Sequence, residues 1–135
     1  METKTIRQSI TLNASSFEAY ELLMDSKKHS AITGGNVNMN KKPKGKFTIF
    51  DGYIHGYNIE LIKGEKIIQA WHFMEEGWPE DHFSICNFQF KAIGNNTKLT
   101  LLQTDVPEHK VEELKEGWKQ YYWKPMKKYL KTHNP

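Results

Sequence analysis

Six histidines and one cysteine are the side chains of this 135-residue sequence best suited to metal binding or nucleophilic chemistry. Zinc sites are built from His and Cys ligands at short, regular spacings. The histidines stand far apart in the sequence, at His29, His55, His72, His82, His109 and His133. None of them forms a His-x-His or His-x-x-x-His pair, so the sequence predicts no metal site and no cofactor. His72 alternates with Trp71 and Phe73 and is predicted to lie on the wetter face of a strand.

Cys86 is the only thiol, which excludes an intrachain disulfide and a cysteine-cluster zinc site. It falls in a strand-like segment and shares a predicted face with Ser84, Phe88 and Phe90. Apolar surroundings disfavour the thiolate, which is the nucleophilic form. We therefore predict that Cys86 packs in the core, and we predict no catalytic residue.

Gln103 is the polar side chain most clearly predicted to point inward, because it shares a strand face with Leu99 and Leu101. A buried amide must be hydrogen-bonded or hydrated. Either Tyr121 or Tyr122, from a later helix, could supply that hydrogen bond. A bound water or a ligand contact is the alternative.

General acid–base catalysis would also require an inward carboxylate or histidine. Asn58 and Glu60 are the nearest polar candidates, but the face that each takes is ambiguous beside Gly56. The sequence therefore favours a protein that is not an enzyme.

Charge is unevenly distributed along the chain, although the net charge is only +3. That small net charge does not indicate nucleic-acid binding. One loop carries the acids Glu75, Glu76, Glu80 and Asp81 with no basic residue, and the sequence after Glu116 carries lysines and no acid. The lysines can be explained structurally, because positive charge near a helix C-terminus complements the helix dipole. The more specific alternative is that they form a docking surface for an acidic partner. The candidates for that surface are Trp123, Lys119, Lys127 and Lys128.

The sequence periodicity places these residues on an α+β framework. Residues 4–12 read as a strand, and Ser15 with Glu18 forms a capping box for a helix that runs to about Met24. A second short helix, capped by Asp25 or Ser26, ends before the glycine pair at 34–35. Period-two alternation over residues 36–106 predicts about six antiparallel strands. The clearest of them are 54–62, 67–74, 83–92 and 97–106.

Pro107 ends the strand region, and the remaining residues return to a period of 3.6. This pattern predicts a long C-terminal helix, with a kink at Pro125 where one backbone hydrogen bond is lost. A curved sheet laid against one helix leaves gaps, so we expect a cavity between the two. The chain is 38% hydrophobic and 13% aromatic, which also suggests an incompletely filled core. The candidate lining residues are Phe47, Ile54, Trp71, Phe73, Cys86, Phe88, Leu101, Gln103, Trp118, Tyr121 and Tyr122.

The length corresponds to a single domain over residues 1–135. No apolar run approaches the length of a membrane span, and the first residues show no apolar stretch of the signal-peptide type. We therefore expect a soluble cytoplasmic monomer with no membrane contact.

Two motifs narrow the fold to a known family. The segment Trp78-Pro79-Glu80-Asp81-His82-Phe83 precedes a strand, and Gly117-Trp118-Lys119-Gln120-Tyr121-Tyr122-Trp123 stands at the start of the final helix. Together they resemble the C-terminal domain of the activator of heat-shock protein 90 ATPase, a member of the START-like, birch-pollen-allergen-like helix-grip superfamily. The resemblance covers essentially the whole chain.

The resemblance implies a curved antiparallel sheet of about six to seven strands around a long C-terminal helix, with two short helices after the first strand. It also implies a non-enzymatic partner role: binding a heat-shock protein 90-type chaperone and favouring its ATPase-competent state. The alternative reading is a stand-alone protein that binds a small apolar ligand in the cavity between the sheet and the C-terminal helix.

Overall fold

The computed structural model describes residues 1–133. Its seven strands form a single antiparallel sheet in the order β1-β7-β6-β5-β4-β3-β2. The strands are β1 Thr3–Leu12, β2 Val37–Met39, β3 Lys46–Ile49, β4 Ile54–Ile62, β5 Lys66–Phe73, β6 Ser84–Ile93 and β7 Asn96–Pro107. The helices are α1 Ser16–Met24, α2 Ser26–Thr33, α3 Val111–Trp118 and α4 Lys124–His133. The predicted α+β order is confirmed, and the predicted strands 54–62, 67–74, 83–92 and 97–106 differ from β4 to β7 by at most one residue at each end.

Both short helices begin and end where the sequence predicts. The Ser15 hydroxyl accepts a hydrogen bond from the Glu18 backbone N–H at 3.1 Å, and the Glu18 carboxylate accepts one from the Ser15 N–H at 3.2 Å. Asp25 caps α2 by accepting from the Lys28 N–H at 3.0 Å. Gly34 ends α2 with φ 83°, a left-handed conformation that glycine adopts without a Cβ clash. These local bonds satisfy backbone N–H and C=O groups at the helix ends that have no hydrogen-bond partner within the helix.

Gly56 allows β4 to approach β5 unusually closely. A Cβ placed on Gly56 would lie 1.7 Å from the Ala70 carbonyl oxygen and 2.9 Å from the Phe47 ring. No side chain fits in that space, so this position of β4 requires glycine. The close approach brings the Phe47 ring to a centroid distance of 6.0 Å from Trp71.

A register shift between Asn58 and Glu60 settles which way their side chains point. Asn58 is fully buried and donates to the Asn40 carbonyl oxygen at 2.6 Å. Glu60 lies on the outer side and pairs with Lys66 at 3.1 Å. The extra residue of a β-bulge re-aims the side chains on either side of it. Neither residue therefore supplies an inward carboxylate.

The segment after β7 is one continuous helical element with an irregular middle. A 3₁₀ turn at Glu108–Lys110 leads into α3, and a π-helical turn at Lys119–Trp123 joins α3 to α4. Within that turn the Lys124 N–H donates to the Lys119 carbonyl, five residues back. The irregularity predicted at Pro125 thus occurs just before it. Pro125 itself lies in the first turn of α4, where a missing N–H is tolerated.

The β2 strand at one edge of the sheet is capped by side chains of α2. Val37 donates its backbone N–H to the Ser30 hydroxyl at 2.9 Å, and Met39 donates to the Ser26 hydroxyl at 2.8 Å. On its other side β2 pairs with β3. Two serines of a short helix therefore satisfy two outward N–H groups of the edge strand.

Candidate functional site

A cavity of 440 Å³ opens where the turn between β3 and β4 faces α3 and the π turn. Aromatic and aliphatic side chains make up most of its wall, and two carboxylates lie at its mouth. The lining residues are Phe50, Tyr53, Ile54, Trp71, Phe73, Glu75, Glu113, Leu114, Gly117, Trp118, Tyr121 and Tyr122. Its volume falls within the range of small-molecule sites, roughly 300–1,000 Å³.

Two tryptophans in the cavity wall are held by glutamine side chains. Trp71 donates its indole N–H to Gln69 Oε1 at 2.9 Å, and Trp118 donates to Gln103 Oε1 at 2.8 Å. Gln103 in turn donates from Nε2 to the Ser84 hydroxyl at 2.9 Å. Because these polar atoms are engaged within the protein, the tryptophans offer the cavity only carbon and π surface. A tyrosine, a water or a ligand was expected to bond to Gln103, and in the structure its side chain bonds instead to Trp118 and Ser84.

Tyr122 is anchored by a buried histidine. Its hydroxyl lies 2.7 Å from His29 Nε2, and His29 Nδ1 lies 2.9 Å from the Leu23 carbonyl oxygen. Since a carbonyl only accepts, Nδ1 carries the ring proton and Nε2 accepts from the Tyr122 hydroxyl. Burial lowers the pKa of His29 to about 4, opposed by its bond to the Leu23 carbonyl. Helix α2 thereby fixes the position of one wall of the cavity.

The mouth of the cavity carries a compact charged group centred on Lys110. Its ammonium donates to Glu75 Oε2 at 2.6 Å and to the Glu76 carbonyl at 2.8 Å, and it lies 3.4 Å from Glu113 Oε2. Tyr53 donates its hydroxyl to the other oxygen of Glu75 at 2.8 Å. The hydrogen bond to Glu75 raises the pKa of Lys110. Burial, followed by the bond to Glu75, raises the pKa of Tyr53 to about 12.

The acidic loop has a basic partner that comes from a distant part of the sequence. Lys110 comes from the 3₁₀ turn after β7, and only 10% of its side chain is exposed. The loop itself contains no basic residue, but the fold brings Lys110 to Glu75 across 35 positions of sequence. No spacing rule connects residues so distant, and a lysine at a helix start carries no distinguishing signal.

The structure divides the predicted lining residues into two groups. Those that line the cavity are Ile54, Trp71, Phe73, Trp118, Tyr121 and Tyr122. Those buried elsewhere in the core are Phe47, Cys86, Phe88, Leu101 and Gln103. Tyr121 is 54% exposed and meets Phe50 edge to face, with ring centroids 5.6 Å apart. It therefore lies at the rim of the cavity, and it does not reach Gln103.

Trp71 explains why the cavity occupies one end of the concave face. Its ring lies within 6.3 Å, centroid to centroid, of the rings of Phe47, Phe73, Phe88, Trp118 and Tyr122. A side chain of this size fills the space between the middle of the sheet and the final helix. The cavity described above lies to one side of this ring, near the turn between β3 and β4.

Cys86 and His72 are both buried. Cys86 is fully enclosed, and burial raises the pKa of its thiol well above the ordinary value. His72 is 9% exposed, with Nδ1 2.7 Å from the His82 carbonyl and its ring centroid 5.5 Å from that of Phe83. The expectation of a wetter face for His72 is wrong, because the segment before β6 covers it. Across residues 1–133, no three His, Cys, Asp or Glu side chains gather in a way that could hold a metal ion.

Of the four residues predicted for a partner surface, Lys119, Lys127 and Lys128 are exposed and Trp123 is not. Trp123 is 5% exposed, stacks on Trp118 with a 17° interplanar angle, and donates its indole N–H to Gln8 Oε1 at 2.6 Å. Regular helical spacing had placed it off the buried face. The π turn adds one residue to a helical turn and so rotates Trp123 inward.

The curved seven-stranded sheet around a C-terminal helix, with two short helices after the first strand, defines a START-like protein of the helix-grip fold. Residues 13–131 match the family described as activator of Hsp90 ATPase homolog 1-like protein. The chain belongs to this family.

Relatives and solved structures agree with that assignment. The chain is 30% identical over 118 residues to the activator of 90 kDa heat shock protein ATPase homolog of Dictyostelium discoideum, covering 87% of the chain and 30% of the relative. It is 26% identical over 110 residues to homolog 1 of Homo sapiens, covering 82% of the chain and 32% of the relative. The chain thus spans about a third of the length of these relatives.

Two crystal structures share the fold. An HSP90 activator from Plasmodium falciparum superposes with a TM-score of 0.79 at 24% identity, covering 87% of this chain and 89% of that one. A Mesorhizobium loti protein superposes with a TM-score of 0.84 at 12% identity, covering 98% and 100%. Within residues 1–133, no helix combines the length and hydropathy that crossing a bilayer requires.

Proposed function

We propose that this chain is a non-enzymatic interaction domain that binds a heat-shock protein 90-type chaperone and favours its ATPase-competent state. The observation that supports this proposal is the family match over residues 13–131, which includes α1, six of the seven strands in full and most of the final helix. A chaperone partner of this type also agrees with the expected cytoplasmic location. We propose that the domain acts as a monomer.

The exposed lysines of the final helix are the surface we propose for the partner. Lys119, Lys127 and Lys128 are exposed, as are Lys124 and Lys131 beside them. Within the part of the chain that the structure describes, none of the five forms an ion pair with an acidic side chain within 4.0 Å. A field of unpaired positive charge accelerates association with an acidic surface and selects for it.

The polar groups of the domain fit binding better than catalysis. Gln103 and His29 are each hydrogen-bonded within the core, and the Cys86 thiol is held protonated by burial. General acid–base or nucleophilic catalysis needs such a group to be free and to face a substrate. These side chains instead fix the positions of the rings around them.

The test is the ATPase rate of the purified chaperone from the same source with increasing amounts of this protein. We expect the rate to rise to a plateau, and we expect direct binding at the same concentrations. A Lys127→Glu/Lys128→Glu double variant should weaken both effects about tenfold or more at low ionic strength, because attraction becomes repulsion.

Lys91→Glu/Lys98→Glu provides the matched control. These exposed lysines lie opposite each other on β6 and β7 and involve the same change in net charge. Equal loss in both double variants would refute a localised lysine surface. Unchanged ATPase rate and absent binding in the wild-type protein would refute the chaperone role itself.

A further inference from the structure

We propose that the 440 Å³ cavity is a binding site for a small organic cation, in which an ammonium group is carried on an apolar or aromatic body. Two independent features of the site select this chemistry. The wall is built mostly of aromatic rings, four of which have their polar atoms bonded to the protein, and the mouth carries more negative than positive charge. Such a site would lie on α3 and the π turn, apart from the lysines of α4.

The ring surfaces of the wall suit a cation as well as an apolar body. Trp71, Trp118 and Tyr122 bond to Gln69, Gln103 and His29 through their polar atoms, so these nearly enclosed side chains present only ring atoms to the cavity. Phe50 and Tyr121 add an edge-to-face pair at the rim. Aromatic faces attract ammonium groups through the ring quadrupole, by about 0.5–2 kcal/mol for each contact, and most strongly where water is excluded.

The charges at the mouth disfavour an anion. The lining residues include the carboxylates of Glu75 and Glu113, and no Lys, Arg or His lines the cavity. The nearby Lys110 ammonium has three N–H groups, and its three acceptors are Glu75, the Glu76 carbonyl and Glu113. No donor of Lys110 remains for a ligand carboxylate or phosphate.

Glu113 is the acid best placed to meet a bound ammonium. Both oxygens of Glu75 are already engaged at short distances, by Tyr53 and Lys110. Glu113 is held only at 3.4 Å from Lys110, and 65% of its side chain is exposed. Its other carboxylate oxygen can therefore accept from a cation at the mouth while Oε2 stays beside Lys110. The apolar body of the ligand would then lie against the rings further inside.

Gly117 provides a way to close the site without disturbing the fold. It lines the cavity, and a Cβ built on it meets no atom within 4 Å. A leucine at this position in α3 would occupy the cavity. Replacing a helical glycine also favours the helix, because glycine loses the most conformational freedom on folding.

The test compares three probes of one shape: 4-phenylbutylammonium, 4-phenylbutan-1-ol and 4-phenylbutyrate. Calorimetry and tryptophan fluorescence would measure binding to the 135-residue chain. We expect the ammonium to bind most tightly, and the carboxylate at least about tenfold more weakly, since the net charge at the mouth attracts one and repels the other. Equal affinity for the alcohol and the ammonium would overturn the proposal, as would no binding of any probe.

Three variants locate the site. Glu113→Gln should weaken ammonium binding about two- to fivefold, as expected for a partly exposed ion pair, and leave alcohol binding unchanged. Glu112→Gln, on the same helix with 88% of its side chain exposed and outside the cavity, should change neither. Gly117→Leu should abolish binding while thermal unfolding shows a folded protein. Full ammonium binding by a folded Gly117→Leu protein would place the ligand elsewhere and overturn the proposal.

Discussion

Replacing Gln103 with leucine should measure what the amide contributes by holding Trp118. Trp118 is 3% exposed, and its indole N–H has Gln103 Oε1 as its partner at 2.8 Å. Leucine keeps much of the volume but leaves that N–H buried without an acceptor, which costs about 1–3 kcal/mol. The Ser84 hydroxyl also loses the donor that Gln103 provides at 2.9 Å. We therefore expect the free energy of unfolding to fall by about 2–4 kcal/mol.

A double-mutant cycle with Trp118→Phe separates the hydrogen bond from the loss of packing. Phenylalanine has no N–H, so in the Trp118→Phe background Gln103→Leu leaves no ring donor without an acceptor. It should therefore lower the free energy of unfolding by about 1–3 kcal/mol less than it does in the wild-type background. Urea unfolding followed by circular dichroism gives all four free energies without relying on tryptophan fluorescence. Gln120→Leu, at an exposed glutamine bonded to Glu116, serves as the control and should change stability by less than about 0.5 kcal/mol. Additive costs in the cycle would refute the idea that this bond holds the ring.

Three further outcomes follow from buried groups. The pKa of His29, about 4 when folded against 6.5 ordinarily, means that the unfolded chain takes up the proton first. Neutral His29 therefore contributes its full stabilisation only above about pH 6.5. The free energy of unfolding measured in urea should fall by about 2 kcal/mol between pH 7 and pH 5. His29→Gln should remove this pH dependence. Gly56→Ala should lower stability by about 3 kcal/mol or more, since its Cβ would meet the Ala70 carbonyl at 1.7 Å, and an unchanged melting temperature would contradict this. The Cys86 thiol should react with a disulfide reagent only as fast as the protein opens, and immediately in denaturant, whereas rapid reaction of the native protein would show that it is accessible.

Local signals predicted most of the fold. The Ser15–Glu18 capping box, the Asp25 cap and Gly34 each act through bonds or dihedral angles within a few residues, so sequence spacing alone reveals them. Period-two alternation located β4 to β7 because one face of each strand is buried along most of its length. The three-residue strand β2 is too short for such a pattern, and it was predicted only as part of the strand-rich region.

The candidate site was predicted less completely, because its distinctive features depend on long-range contacts. A hydrophobic pattern indicates that Trp71 faces inward, but it does not show that this ring fills the centre and that a cavity lies beside it near the turn between β3 and β4. The burial of Trp123 depends on a π turn that regular helical spacing cannot represent. Lys110 reaches Glu75 only once β7 has brought the start of the final helix beside the acidic loop.

The serine caps on β2 also bear on strand addition at this edge of the sheet. An open sheet edge presents free N–H and C=O groups on which another chain can add a strand, the first step of edge-to-edge aggregation and domain swapping. In β2 the N–H groups of Val37 and Met39 are already bonded to Ser30 and Ser26. An incoming strand would have to displace both hydroxyls and would find only three residues to pair with. Two side chains of α2 thus protect this edge, a task that many sheet proteins assign to an inward-pointing charge or a proline.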